Sequence, residues 1–165
     1  MEVKQQSKLS FYGVDIIETI FNVKRKFNFE EQINLEVDAK LIKSNEDGIF
    51  KILMSVSLHV DNYFNLTTRG IGNFELESAL SDREQKHFVN TNAPAIMFPY
   101  IRSFLSTFSS SCGQSLPMIV VPPQFFNGDL EEITFENPQY LLLCKNFIKK
   151  FSRFHQEPFP EDFQT

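Results

Sequence analysis

The chain has 165 residues, of which 42% are hydrophobic and 22% are charged, a balance typical of a folded domain and not of a disordered polypeptide. A net charge of -5 and the lack of a dense Lys/Arg patch argue against nucleic acid as the main partner. No apolar run approaches the roughly 20 residues of a membrane span, and the start, MEVKQQSKLS, lacks the features of a signal peptide. We therefore expect a single domain over residues 1–165, located in the cytoplasm without membrane insertion.

The aromatic content is biased, with 19 Phe and no Trp. Aromatic side chains bury a large area each, so the bias predicts either an unusually aromatic core or a surface that holds apolar ligands. The two cysteines, Cys112 and Cys144, are expected to be reduced thiols in a cytoplasmic protein.

Alternation of apolar and polar residues predicts four strands in the first half of the chain. They cover Leu9 to Val23, Ile33 to Leu41, Ile49 to Val60 and Tyr63 to Leu76. The last three are joined by the short turns SNEDG and DN, which require antiparallel neighbours. Two glycines in the fourth strand, Gly70 and Gly72, suggest a bulge or a close backbone approach.

A change of period after Asn92 predicts a long helix, with Pro94 in its first turn and Gly113 beyond its end. Pro99 would cost about 3 kcal/mol inside this helix unless a kink is useful, so the kink either has a positional role or wraps the helix around its own sheet. The apolar stripe is too broad for one sheet to cover, which predicts an oligomer interface. Its residues are Ile96, Met97, Tyr100, Ile101, Phe104, Leu105 and Phe108.

This helix and the segment that follows it carry a resemblance to a known family. NAPAIMFPYIRSFLSTFSSSCG, followed by PMIVVPPQFF, resembles the signature of the SecB family of protein-export chaperones, in which an FPY-x-R helix precedes an apolar, proline-containing extended segment. The residues that match the helix motif are Phe98, Pro99, Tyr100 and Arg102. The similarity extends roughly from Leu9 to Phe126.

The resemblance implies an α+β fold, in which the long helix, kinked at Pro99, and a C-terminal helix pack on one side of a four-stranded antiparallel sheet. Family members are homotetramers, assembled as dimers of dimers around the long helices. They are ATP-independent holdases without a cofactor, which bind unfolded clients in apolar grooves and pass secretory precursors to the motor SecA. The client-binding residues implied for this chain are Phe29, Ile33, Leu35, Val37, Phe125 and Phe126.

The residues themselves leave two of these assignments open. Alternation places Ile33, Leu35 and Val37 on one face, which is either an open groove or ordinary core beneath the helix. The divergent C-terminal region, residues 128–165, contains the amphipathic stretch QYLLLCKNFIKKFSRF at residues 139–154. This stretch is a displaced groove-lining helix, a helix packed on the core, or a basic helix that binds a membrane or a specific partner.

A second implication concerns SecA. Acidic residues on the outer face of the sheet dock the motor in proteobacterial members, and one of them corresponds to Glu18 here, whereas two others fall on the neutral Asn22 and Thr67. Losing two carboxylates should weaken recognition of a basic partner. SecB-like chaperones that protect the antitoxin of a toxin-antitoxin pair also exist, so a chaperone dedicated to one client is the alternative function.

An enzyme is the competing class of protein, and the sequence lacks its usual signals. His59, His87 and His155 are far apart and show no metal-ligand spacing. The serines at positions 109 to 111 are not framed by a GxSxG nucleophile motif. We therefore expect neither catalysis nor a metal site.

Overall fold

A computed structural model describes residues 8–44 and 47–133, which form an α+β fold. In chain order the elements are β1 (Leu9–Val23), β2 (Asn34–Lys43), β3 (Ile49–Val60), β4 (Phe64–Leu76), α1 (Asp82–His87), α2 (Ala93–Ser110) and β5 (Glu131–Ile133). A π-helical turn, Phe88–Asn92, joins α1 to α2, so the two helices and this turn are one continuous helical segment. Among the described residues, no helix is both long enough and apolar enough to cross a bilayer.

The strands form one sheet in the order β1-β4-β3-β2-β5. The four predicted strands are present, and their mutual pairings are antiparallel. The prediction of a four-stranded, purely antiparallel sheet is nevertheless not confirmed, because β5 pairs with β2 in parallel and makes the sheet five-stranded and mixed. With three residues, β5 is too short to produce a readable alternation in the sequence.

Of the divergent C-terminal region, residues 128–165, the structure describes residues 128–133, which lead into β5. The predicted C-terminal helix, residues 139–154, lies outside the described residues.

The core lies on the inner face of the sheet, between the sheet and α2. Every second residue of β3 is buried there, from Phe50 to Val60, as the alternation predicts. The helix α2 packs across β1, β3 and β4. Its side chains at Met97, Ile101 and Leu105 are fully buried against this face.

Two glycines allow this close packing, as the sequence suggests. A Cβ atom at Gly72 would lie 2.9 Å from Met97 Sδ, and one at Gly70 would lie 3.3 Å from Ile101 Cδ1. Both distances are shorter than ordinary van der Waals contacts, so larger residues would push α2 away from the sheet. A bulge is also present, because the register of β1 against β4 shifts beside Gly70.

The helical segment begins earlier than the sequence predicts. Its N-cap is Ser81, whose backbone N–H and hydroxyl both donate to Glu84 Oε2, at 3.1 and 2.7 Å. The predicted cap, Asn92, has helical backbone angles and makes no capping hydrogen bond, because it lies inside the continuous segment. Pro99 is at an exposed position within α2, where its missing N–H is least costly.

Candidate functional site

The segment that follows α2 covers part of the sheet without forming a strand. The backbone N–H of Ile119 donates to Ser109 Oγ at 2.9 Å, which ties this segment to the end of the helix. Ile119 and Val121 are buried in the core, whereas Met118 and Val120 are exposed. This alternation shows that the segment is extended and presents two apolar side chains to solvent.

The course of this extended segment follows β2. Near its start, Ser115 accepts a hydrogen bond from the backbone N–H of Phe27, which precedes β2 in the chain. It ends in β5, which pairs with Lys40–Ile42 near the end of β2. The segment therefore runs from a point beside Phe27, just before β2, to the edge of β2 at Lys40–Ile42.

The inner face of β2 is not fully covered. The side chains of Ile33, Leu35, Val37 and Ala39 touch the core cluster but remain partly exposed, whereas their counterparts on β3 are fully buried. On the outer face the same strand carries Asn34, Glu36 and Asp38, all exposed. We call the apolar residues from Ile33 to Ala39 the β2 strip. The strip is less buried than the core and more apolar than an ordinary protein surface.

Phe29 stands at the start of the strip. Its side chain is 54% exposed, and its ring centroid lies 5.1 Å from that of the buried Phe27 in an edge-on contact. Its φ angle is 63°, in the left-handed region that bulky side chains rarely adopt. Phe29 is therefore a large aromatic residue that is exposed to solvent although its backbone conformation is energetically unfavourable.

The other two predicted client-binding residues lie elsewhere. Phe126 is half buried, with its ring centroid 5.8 Å from that of Phe98 in α2, and Phe125 is 94% exposed. The contact at Phe98 is eleven residues before Ser109 in the helix, a separation of about 17 Å. The structure therefore places Phe29 against Phe27, just before β2 in the chain, and Phe126 against Phe98 of α2, near the other end of the extended segment.

The predicted oligomer stripe on α2 divides into two. Met97, Ile101 and Leu105 are buried inside the subunit, so they belong to the core and present no surface to a partner. Two adjacent rows of side chains on this helix are both apolar, so the sequence shows them as one stripe. Only one of the two rows faces the sheet.

The second row of α2 keeps an accessible surface. Ile96 and Tyr100 are exposed, Phe104 and Phe108 are half buried, and Tyr100 is 53% exposed. Near this row, on β1, the ring of Phe11 lies 5.1 Å from that of Tyr100, between centroids. Among the described residues β1 is the first strand of the sheet order, and its Phe11 and Phe21 contact this row at Tyr100 and Phe108, so we call the row and the adjoining edge of β1 the apolar margin.

On the outer face of the sheet, Glu18 forms an ion pair and hydrogen bond with Arg69 of the neighbouring β4. Both side chains are partly exposed. The carboxylate is thus already neutralised by a neighbour within the subunit. Asn22 is exposed, and Thr67 hydrogen-bonds to Ser57 at 2.9 Å.

A cleft of about 690 Å³ lies between α1 and the end of β2. Two of its charged residues pair with each other, since Lys43 Nζ lies 2.7 Å from Glu132 Oε2, and Asn90 donates to Asp129 at 2.8 Å. Among the described residues, no group of three or more His, Cys, Asp or Glu side chains could hold a metal ion.

Three positioning residues were not predicted from the sequence. Phe27 anchors Phe29, Ser109 anchors the extended segment, and Asn90 of the π-helical turn accepts the N–H of Leu130 at 3.2 Å just before β5. Ser109 and Asn90 act through partners 10 and 40 residues away in the sequence, so no local pattern marks them, and two phenylalanines at positions 27 and 29 do not by themselves predict a ring contact. The π-helical turn at Asn90 is a feature that often accompanies functional sites, but its sequence, FVNTN, is unremarkable as helix.

Comparison with known proteins identifies relatives that are similar in sequence. The chain is 27% identical to the protein-export protein SecB of Orientia tsutsugamushi (strain Boryong) over 135 residues, which are 79% of this chain and 81% of that protein. It is 28% identical to the protein-export protein SecB of Buchnera aphidicola subsp. Schizaphis graminum over 137 residues, 81% of this chain and 77% of that protein. No protein-family model matches the chain.

Among solved structures, the fold is similar to the Mycobacterium tuberculosis Rv1957 SecB-like chaperone, determined in complex with a ChAD peptide from the HigA1 antitoxin. The TM-score is 0.57 at 14% identity, covering 70% of this chain and 90% of that chain. The fold therefore defines the class as α+β and similar to a SecB-like chaperone. Together with the sequence relatives it supports a SecB-like protein, and the resemblance predicted from the sequence is confirmed.

Proposed function

We propose that this protein is an ATP-independent holdase, which binds unfolded polypeptide through its apolar surfaces and keeps it competent for export. The observation that carries the proposal is the partly exposed β2 strip, Ile33 to Ala39, together with the exposed ring of Phe29 four residues before it in the chain. A core strand would be covered fully, and a surface strand of this kind would normally be polar.

The proposed binding depends on apolar burial, which is a non-directional interaction. Apolar burial contributes about 25 cal/mol per Å² whatever the sequence of the client, and it needs no fixed client shape. The apolar surface that a client could cover also includes three exposed residues after α2, which are Met118, Val120 and Phe125. Such a surface needs no nucleotide and no catalytic group, and we infer that the protein is not an enzyme.

The test is suppression of aggregation of a chemically unfolded client without nucleotide. Leu35→Glu places a charge in the strip and is expected to abolish suppression while the protein stays folded, because Leu35 is only half buried. Asn34→Glu is the matched control, with the same charge one residue away on the outer face. An unfolded Leu35→Glu variant would instead assign the strip to the core, and a fully active one would exclude it as a binding surface.

A second candidate function is a chaperone dedicated to one client. It is favoured by the similar SecB-like chaperone of Mycobacterium tuberculosis, whose structure holds a peptide from an antitoxin. A general holdase protects many unrelated unfolded proteins, whereas a dedicated one would protect a single polypeptide. Neighbouring genes that encode a toxin and an antitoxin, together with selective protection of that antitoxin, would decide for the dedicated function.

We further infer a homo-oligomer, a dimer or a dimer of dimers in the cytoplasm, joined through the apolar margin of β1 and α2. The accessible row of α2, Ile96 to Phe108, supports this inference, because an apolar margin beside the last strand of the sheet within residues 8–44 and 47–133 is rarely left in water. For SecA, the pairing of Glu18 with Arg69 supports weak docking on the outer face of the sheet.

A further inference from the structure

The sequence contains a single Asn–Gly pair, Asn127–Gly128, which lies in the part of the extended segment just before β5. Both residues are exposed, and Gly128 has a φ angle of 94°, which residues with a side chain rarely adopt. A Cβ atom at Gly128 would meet nothing within 4 Å. The loop therefore leaves open space around the peptide bond that joins the two residues.

The two groups that react in deamidation are not restrained by hydrogen bonds. Within residues 8–44 and 47–133, neither the side-chain amide of Asn127 nor the backbone N–H of Gly128 has a hydrogen-bond partner. Asn90, by contrast, is held at both side-chain atoms, because Nδ2 donates to Asp129 and Oδ1 accepts from the N–H of Leu130. The side chain of Asn127 can therefore turn back onto the nitrogen of Gly128.

We propose that Asn127 is a site of spontaneous deamidation, and that its conversion to isoaspartate loosens the attachment of β5 to β2. The nitrogen of Gly128 attacks Cγ of Asn127, its proton passes to the side-chain amide, and ammonia leaves as a succinimide ring closes. Water then opens the ring at either carbonyl carbon, which gives aspartate or isoaspartate. Asparagine is a chemically labile residue, and a following glycine favours the reaction because it has no side chain to hinder the ring.

The modification falls between two contacts that position this loop. On one side, the ring of Phe126 packs on Phe98, and on the other, Asp129 and Leu130 bond to Asn90. Isoaspartate carries the main chain through its former side chain, so the backbone between these contacts becomes longer by about 1.5 Å, the length of one C–C bond. It also adds a carboxylate two residues before Asp129, and the two like charges repel.

The attachment of β5 is short and therefore sensitive to this change. β5 has three residues and pairs with Lys40–Ile42. Its ion pairs, Lys40 with Glu131 and Lys43 with Glu132, have exposed carboxylates and contribute little stability. Weaker contacts at Asn90 should therefore let β5 separate from β2 more often.

A second pair that could close the same ring is restrained. At Asp47–Gly48, the carbonyl oxygen of Gly48 accepts from the N–H of Leu76 at 2.8 Å, and a Cβ atom at Gly48 would lie 2.8 Å from Leu76 O. A carboxylate also loses water less readily than an amide loses ammonia. Asp47 is therefore an internal control that should remain unchanged while Asn127 converts.

The site is tested by incubating the full-length protein at mildly alkaline pH, with the peptide FFNGDL as an unrestrained reference, followed by peptide mass mapping. We expect Asn127 to convert before Asp47 and before the exposed Asn28, with isoaspartate detected by an isoaspartate-specific methyltransferase. Asn127→Gln, whose ring would be one atom larger, should stay intact. An unmodified Asn127 after the peptide has fully converted, or earlier conversion of Asn28 or Asp47, would overturn the site.

The effect on β5 is tested on the isoaspartate form, which anion exchange separates by its added negative charge. We expect the amides of β5 and of Lys40–Ile42 to exchange hydrogen at least about fivefold faster than in the unmodified protein, because the hydrogen bonds at Asn90 are weakened. Freshly purified Asn127→Asp adds the charge without lengthening the main chain and should show a smaller change.

Unchanged exchange in the isoaspartate form would overturn the effect on β5. An acceleration that Asn127→Asp reproduces in full would overturn the role of the longer main chain. Neither measurement involves a client, so the outcomes are independent of the proposed holdase function.

Discussion

At the scale of single residues, Phe29 combines backbone strain with exposure. A non-glycine residue with φ of 63° costs on the order of 1–3 kcal/mol unless its side chain favours this region, and asparagine is among those that do. We expect Phe29→Asn to keep or raise the melting temperature while it weakens the binding of an unfolded client. Differential scanning fluorimetry and client titration measure the two effects. A lower melting temperature with unchanged client binding would show that the ring is structural.

Glu84 provides a pH-dependent contribution to stability. Its pKa is lowered from 4.5 to about 2 by a hydrogen bond from Lys8, at 2.8 Å, and by donors on Ser81. The pKa is depressed in the folded state, so the stabilisation is present above 4.5 and is lost as the pH falls towards 2. We expect Glu84→Gln to lower the melting temperature near neutral pH, with a difference from the parent protein that shrinks on acidification through this range. A difference independent of pH would contradict this account.

At the scale of elements, the strands were predictable and the helix was predictable only in part. Period-2 alternation located four strands because each buries one face and exposes the other, as in β3. The single stripe predicted for α2 failed for Met97, Ile101 and Leu105, because periodicity shows which rows are apolar and not which partner covers each. The short parallel strand β5 could not be predicted, since long-range pairing with β2 and the Asn90 contacts hold it in place.

The candidate site was likewise predictable from the sequence only in part. The common face of Ile33, Leu35 and Val37 follows from alternation, and the structure confirms that they share a face. Their partial exposure does not follow from the sequence, because it depends on how far the extended segment after α2 reaches across the sheet. The left-handed backbone at Phe29 was also beyond local reasoning, since aromatic residues rarely adopt this region and the neighbouring Asn28 is the more typical residue for it.

The charges on the outer face of the sheet lead to a prediction about the strength of SecA binding. Glu18 is paired with Arg69, and Asn22 and Thr67 are neutral, so we expect weak binding of SecA by the unmodified protein. The double change Asn22→Glu and Thr67→Glu adds two carboxylates and should tighten binding to a basic surface of the motor. Surface plasmon resonance at two salt concentrations measures the effect. Tight binding by the unmodified protein would place the contact on another surface.

At the scale of the whole molecule, the apolar margin of β1 and α2 predicts an oligomer. Tyr100→Glu combined with Phe104→Glu puts two charges into that margin and should shift the mass in light scattering to a smaller species that remains folded. Thr107→Glu, on an exposed polar position of the same helix, is the matched control. A monomeric unmodified protein at micromolar concentration would contradict the predicted assembly.

The central claim is that unfolded polypeptide binds at the β2 strip, and calorimetric titration with a permanently unfolded client tests it most directly. The account predicts nucleotide-independent binding with a negative heat-capacity change, as expected for buried apolar surface. It also predicts that binding is lost in folded Leu35→Glu and kept in Asn34→Glu. Equal binding by these two folded variants, or no binding by the unmodified protein, would contradict it.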